Sequence, residues 1–248
     1  MAGQLPLVAA VDARRELGLG DLQPVDIFRI LAYQEHISVV RCPFGKGSRM
    51  SGLFLRKGNV RLIVVNTCTS WGHQIFTAAH EYYHLRHSAG MSGSICVTGT
   101  FSERSPEEFD ADRFAAAFLA PTAGLDYLIK REFGGGRLGI GEIIYLEQYF
   151  AVSHAAMLRR LTEIGKITRG ELDEFRPEVI SKARRLGFST RLYEKTRDYE
   201  IVSDLPRKVR EALERDLISE GKAREFLLAF GQRPIGEQGG TGDDVDHQ

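Results

Sequence analysis

The spacing of apolar residues divides the chain into a short stretch of strands flanked by helices. From Pro24 to about His36, residues Ile27, Phe28, Ile30 and Leu31 make the apolar face of an amphipathic helix, with Pro24 in a first-turn position. Ile37–Val40 reads as a short strand. Ser51–Leu55 and Val60–Val65 read as two more, joined through Lys57-Gly58-Asn59, whose Gly-Asn pair marks a turn. Asn66 to Ser70 closes this sheet, and Thr69 or Ser70 suits the N-cap of the helix that follows. In that helix Ile75, Ala78, Ala79 and Tyr82 repeat at helical spacing, with no Pro or Gly from Gln74 to Leu85. The pattern predicts an α+β fold, with a small antiparallel sheet packed beside the helix.

A Gly/Ser-rich loop is expected from Ser88 to Thr100. Helix resumes with Ser105-Pro106-Glu107-Glu108, where Ser at N-cap, Pro at N1 and Glu at N3 make a capping box, and runs to about Leu119. Its apolar stripe is Ala111, Phe114, Ala115, Phe118 and Leu119. Further on, Ile140–Phe150 and His154–Ile164 read as two helices joined by Ala151-Val152-Ser153, with Met157, Leu158 and Leu161 buried, in the order of a helix-turn-helix unit. Val179–Leu186 and Arg207–Phe230 are also helical, the latter resembling a helix-Gly-helix hairpin around Gly221. The tail from Gly236 to Gln248 is rich in Gly and Asp and reads as disordered. No internal repeat is present.

Composition narrows the function classes. The 248 residues give ample length for a core, and 33 Lys plus Arg balance 33 Asp plus Glu, so no global charge points to nucleic acid or membrane. A local basic cluster, Lys182, Arg184, Arg185 and Arg191, reads as a solvated face. Three widely spaced cysteines, Cys42, Cys68 and Cys96, support neither a disulfide framework nor a cysteine zinc pattern. The start, Met-Ala-Gly-Gln-Leu-Pro-Leu, lacks a charged region followed by a long apolar run, and no stretch approaches membrane-spanning length. A cytoplasmic protein is expected.

The chemistry concentrates in His80-Glu81-Tyr82-Tyr83-His84, an H-E-x-x-H pattern inside the first long helix. Residues four apart point the same way on a helix, so His80 and His84 can hold one ion through two imidazoles. Glu81 borders that face and is placed to take a proton from a water beside the metal. Glu108 extends the apolar stripe of its own helix, so it either meets a metal ion or reaches back to cap Ser105. Asp112, one turn on, is either a hydrogen-bond partner of a ligand histidine or a solvated acid. His87 is a further ligand or, in the favoured reading, a C-terminal residue facing the helix dipole. Cys96 is an ordinary thiol or a fourth ligand that blocks the ion.

Phe76-Thr77-x-Ala-His80-Glu81-x-x-His84, followed downstream by Glu108-Phe-Asp-Ala-Asp112-x-Phe-Ala-Ala-Ala-Phe-Leu-Ala-Pro121, resembles the ImmA/IrrE family of metallopeptidases. The resemblance implies a zincin-like domain, with zinc on His80, His84 and Glu108 and Glu81 as catalytic base; manganese is the other ion considered. Tyr82-Tyr83 and Ala120 depart from the family's usual small or aliphatic pair and Met, without touching a ligand. The helix pair resembles a segment of the same family, carried by Arg159-Arg160-Leu161 and the closing Leu161-x-x-Ile164-Gly165. His154 is either a local hydrogen-bonding residue or a group that leans into the active site.

The expected division is a zincin-like peptidase over residues 1–135, a helix-turn-helix-like segment over 136–168, a mostly helical region over 169–235 and a tail over 236–248. The expected activity is a zinc endopeptidase acting on a protein substrate, which the resemblance suggests is a helix-turn-helix repressor or antitoxin-type partner in transcription or stress control. The alternative is a metal-containing DNA- or protein-binding regulator without proteolytic activity, contacting DNA through Arg159 and Arg160. Neutral total charge disfavours that alternative.

Overall fold

The computed structural model describes residues 5–45, 47–88, 93–97 and 105–231, with residues 94–97 described by their backbone alone. The expected tail from Gly236 lies outside the described residues. The chain forms two compact units divided between Asp204 and Leu205.

In the first unit, helix α1 (Leu5–Glu16) precedes α2 (Ile27–Arg29), which continues as a π-helix over Ile30–Gln34. Strands β1 (Ser38–Cys42), β2 (Met50–Lys57) and β3 (Val60–Asn66) lead into helix α3 (Trp71–His87). Then come β4 (Gly93–Val97), α4 (Pro106–Leu119), α5 (Thr122–Phe133), α6 (Ile140–Phe150), α7 (His154–Glu163), α8 (Arg169–Phe175), α9 (Val179–Arg185) and β5 (Glu200–Val202). The second unit contains α10 (Leu205–Glu214) and α11 (Glu220–Gly231), which pack against each other. Its turn is made at Asp216, with φ 54°, ahead of Gly221, which sits inside α11.

The five strands lie in the order β4-β2-β3-β1-β5. The α+β class holds, but the sheet is mixed rather than antiparallel: β1 runs parallel to β3, with Val39 opposite Ile63. The reason is in β3. Its near-continuous apolar run suits a strand covered on both sides, so it takes a central seat, with the β2–β3 hairpin on one edge and β1 on the other. The loop expected from Ser88 to Thr100 contains β4, which pairs antiparallel with β2 and satisfies backbone groups that β2 would otherwise present at an edge. β5 covers the far side of β1. Arg41, 3% exposed, fastens that edge: its guanidinium donates to Gln74 Oε1, Thr196 Oγ1 and both Asp198 carboxylate oxygens at 3.1–3.2 Å, pairs with Glu200, and lies over the Trp71 ring.

α3 packs on β2 and β3, and α4 packs on α3. Ala78, Ala79 and Ala115 are fully buried, so their small side chains let the helices approach closely. Around them Phe114 stacks on Phe118 and Tyr82 meets both edge-on, with centroids 5.6–6.0 Å apart, and the whole expected stripe of α4 is buried. This contact brings the start of α4 against the middle of α3.

α2 begins at Asp26, whose carboxylate accepts from the Arg29 amide at 3.2 Å, so Pro24 precedes the helix rather than opening it. α1 and α5 are helices that apolar spacing did not predict. α1 buries Ala10 and Ala13 while Leu5, Val8 and Val11 face solvent, so its pattern points the wrong way. Among the described residues no helix is long and apolar enough to cross a membrane.

Candidate metal centre

α3 starts at Ser70 with extended backbone and carries His80, Glu81 and His84 on its buried side. α4 starts at Ser105, whose hydroxyl accepts from the Glu108 amide at 3.3 Å. The return arm of the expected capping box goes elsewhere. The Glu108 carboxylate spans the two histidines instead, with Oε2 3.2 Å from His80 Nε2 and Oε1 3.1 Å from His84 Nε2. The two Nε2 atoms are themselves 3.3 Å apart. Two ring nitrogens and the two oxygens of one carboxylate, from two helices, therefore close a compact donor cluster in which each nitrogen faces its own oxygen.

The far sides of both rings are engaged. His80 Nδ1 lies 3.0 Å from Asp112 Oδ1, and a carboxylate oxygen can only accept, so that nitrogen donates. His84 Nδ1 lies 3.2 Å from Ser88 Oγ, and the Ser88 hydroxyl donates to Glu107 Oε1, so Oγ accepts from His84. Ser88 and Glu107 had no sequence signal beyond their places at a helix end and a helix start. His84 is further fixed by stacking on Phe54 at 5.8 Å.

With Nδ1 donating in each ring, two charge states satisfy this cluster. In one, protonated Nε2 atoms both donate to Glu108; these bonds hold its carboxyl well below the usual carboxylate range, partly opposed by burial. That state sets two N–H groups head to head. In the other, a cation replaces the protons and three lone pairs converge on it. Donor atoms of a tetrahedral ion with bonds of about 2.0–2.1 Å lie about 3.3 Å apart, so the 3.3 Å between the two Nε2 atoms, with a Glu108 oxygen 3.1–3.2 Å from each, fits a small divalent ion. His80, His84 and Glu108 can hold a metal through one ligand atom each.

Glu81, which follows His80 on α3, is fully buried. Beneath it β2 passes so closely that a Cβ on Gly52 would lie 2.5 Å from Thr77 Cγ2, 2.8 Å from the Val64 carbonyl oxygen and 3.6 Å from Glu81 Oε1. Gly52 is thus a positioning residue that strand spacing gave no reason to single out. The backbone of Cys96 pairs with Gly52 on β4; its thiol lies outside the described residues.

Other named residues sit apart. His87 ends α3 with its ring against Tyr83 and Phe114, and burial with the neighbouring Arg86 charge lowers its pKa. His154 does not lean into the centre. Its Nδ1 meets buried Glu147 at 2.6 Å and its Nε2 meets the Phe175 carbonyl oxygen at 3.2 Å, while the other Glu147 oxygen accepts from Tyr193 at 2.8 Å. Arg160 lies inside the fold. It is 3% exposed and donates to the Ala120 carbonyl oxygen at 3.1 Å, Thr122 Oγ1 at 2.8 Å and Glu163 at 3.0 Å. Arg159, its neighbour, is exposed.

Residues 33–162, more than half of the chain, match the family model described as the IrrE N-terminal-like domain (Peptidase_M78). No curated relative matches significantly. The matched span runs from within the π-helix that continues α2, through β1–β4, α3 and α4, into the last turn of α7, and so contains both helices that carry His80, His84 and Glu108. Sequence pattern, geometry and family match converge: the chain belongs to the ImmA/IrrE family of metallopeptidases.

Proposed function

We propose that the chain is a zinc-dependent endopeptidase, with His80, His84 and Glu108 as ligands and Glu81 as general base and acid. The observation that carries this is the donor cluster, two Nε2 atoms 3.3 Å apart with each 3.1–3.2 Å from one Glu108 oxygen, beside Glu81, a buried carboxylate adjacent to His80 in the chain. Two imidazoles and one carboxylate suit zinc well, with manganese as the alternative. When bound, the ion would supply Lewis acidity, lowering the pKa of a water and polarising the scissile carbonyl.

The chain's own residues supply the rest. Glu81 takes the proton from the attacking water and later delivers it to the leaving amine nitrogen, so the peptide C–N bond breaks with no net change in the carboxylate. Burial of Glu81 on α3 holds it at a fixed offset from the histidines. Asp112 and the Ser88–Glu107 pair keep the Nδ1 proton on each ring, leaving Nε2 to the ion.

The substrate is proposed to be a helix-turn-helix repressor or antitoxin-type protein, cut in the cytoplasm to change transcription during stress; the support is family resemblance. The non-proteolytic DNA-binding reading loses ground with Arg160, whose donors are spent inside the fold.

Replacement of Glu81 by Gln tests the reading. The variant should retain one metal ion per chain by elemental analysis and lose cleavage by on the order of a hundredfold or more. Full cleavage by Glu81→Gln would remove Glu81 from the chemistry.

A further inference from the structure

A cavity of about 580 Å³ opens beside the metal centre, between α3, α4, α7 and α8. It adjoins the centre through Asp112, which lines it and also holds His80, and through Phe76, one turn before His80 on α3. Its floor is apolar: Phe76, Ala116, Ala156 and Leu172, with Phe109 left 48% exposed. Its rim is not. Five arginines line it, Arg113, Arg159, Arg160, Arg169 and Arg176, against three acids, Asp112, Glu163 and Asp173. The lining thus carries two excess positive charges on a chain whose total is zero.

The arginines divide by role. Arg113 and Arg160 both pair with Glu163, and Arg160 also holds the end of α4. Arg159 and Arg169 are exposed on the rim. Arg176 faces Asp173 at 3.8 Å with both side chains largely in water, a pair worth little. Arg159 therefore turns toward a groove beside the candidate active centre, although its helix reads from sequence as the second helix of a helix-turn-helix unit.

We propose that this groove is a recognition site for an acidic, partly apolar stretch of the polypeptide substrate, gripped by Arg159, Arg169 and Arg176 while an apolar side chain rests on Phe109 and Leu172. The identification of the occupant as substrate rests on the peptidase reading. Charge complementarity selects an acidic partner. A side-chain-sized concavity with an apolar floor selects a peptide over a duplex, and the interleaved Asp112, Glu163 and Asp173 repel a continuous row of phosphates.

The test uses the full chain carrying Glu81→Gln, so that bound peptides survive. A random displayed peptide library is selected on this protein and on a version that also carries Arg159→Glu, Arg169→Glu and Arg176→Glu, both checked for folding by thermal melting. A third version with the same positions changed to Lys keeps the charge. The expected result is enrichment of Asp and Glu next to an apolar residue. A selected peptide should weaken about tenfold or more on the Glu version, recover substantially on the Lys version and weaken with added salt. Selection without acidic enrichment, or enrichment that survives charge reversal, overturns the proposal. So does tighter binding of a labelled DNA duplex that the same reversal abolishes. Arginine-dependent acidic selection by a protein whose wild type cuts nothing would keep the groove and sink the peptidase reading. Cleavage by the wild type with no acidic preference would do the reverse.

Discussion

Three carboxylates lie around one pair of imidazoles, and environment divides their work. Glu108 is held well below the usual carboxylate range by the bonds from His80 and His84, which keeps it an anion ready to share an ion. Asp112 meets His80 at Nδ1, the ring nitrogen away from Glu108, so its effect on the metal passes through the ring. Replacing it with Ala should weaken metal affinity by about 10–100-fold without removing a ligand, measurable by competition with a chromophoric chelator. Glu81 depends on what lies under it. A methyl group at Gly52 would press on Thr77 and on the Val64 carbonyl, and the nearest heavy atom beyond these is Glu81 Oε1. Gly52→Ala is expected to cost about 1–3 kcal/mol in denaturant unfolding, because backbone stands on one side of the clash and cannot give. Its metal content should stay at the wild-type level by elemental analysis, since the added methyl clashes with Thr77 and the Val64 carbonyl rather than with a ligand.

At the scale of elements, the helix pair α6–α7 is the place where pattern and packing separate. Its boundaries follow from apolar spacing, yet which arginine meets solvent does not. Arg160 reaches across to the carbonyl that ends α4, the helix that brings Glu108 to the histidines. Replacing Arg160 with Ala leaves Glu163 and the Ala120 carbonyl without this donor and is expected to destabilise the fold by about 3 kcal/mol. Arg159→Ala, on the exposed side, should stay within about 0.5 kcal/mol. Chemical denaturation of the two variants side by side separates the roles. Equal losses would place both arginines in the core or neither.

For the whole molecule, the cluster of His80, His84 and Glu108 links metal, protons and folding. Because the folded Glu108 carboxyl is depressed from its ordinary value of about 4.5, it contributes stability that is present above that value and lost as pH falls toward the folded one. Chelator-treated wild type should therefore lose more stability on acidification below about pH 4.5 than chelator-treated Glu108→Gln, read by thermal melting across a pH series. Parallel melting curves for the two would deny Glu108 this role. The balance of charge over the chain hides the local excess at the groove, since opposite excesses elsewhere cancel it.

The sequence by itself determined the α+β class, the strands of the hairpin, α3, α4 and the α6–α7 pair. In the helices, the apolar stripe at helical spacing is also the buried one, so periodicity reports the core. It determined His80 and His84 as a pair for the same kind of reason: a separation of four residues is a fixed distance on a helix. Tertiary structure decided everything that depends on two elements meeting. It turned Glu108 from its own cap to the histidines, set Ser88 against Glu107, placed Gly52 under Glu81 and buried Arg160 while leaving Arg159 outside. It also made β4 and β5 strands, because the open edges of β2 and β1 offer hydrogen bonds that no local pattern in either segment reveals. Local spacing fixes which side chains share a face; only packing fixes what that face meets.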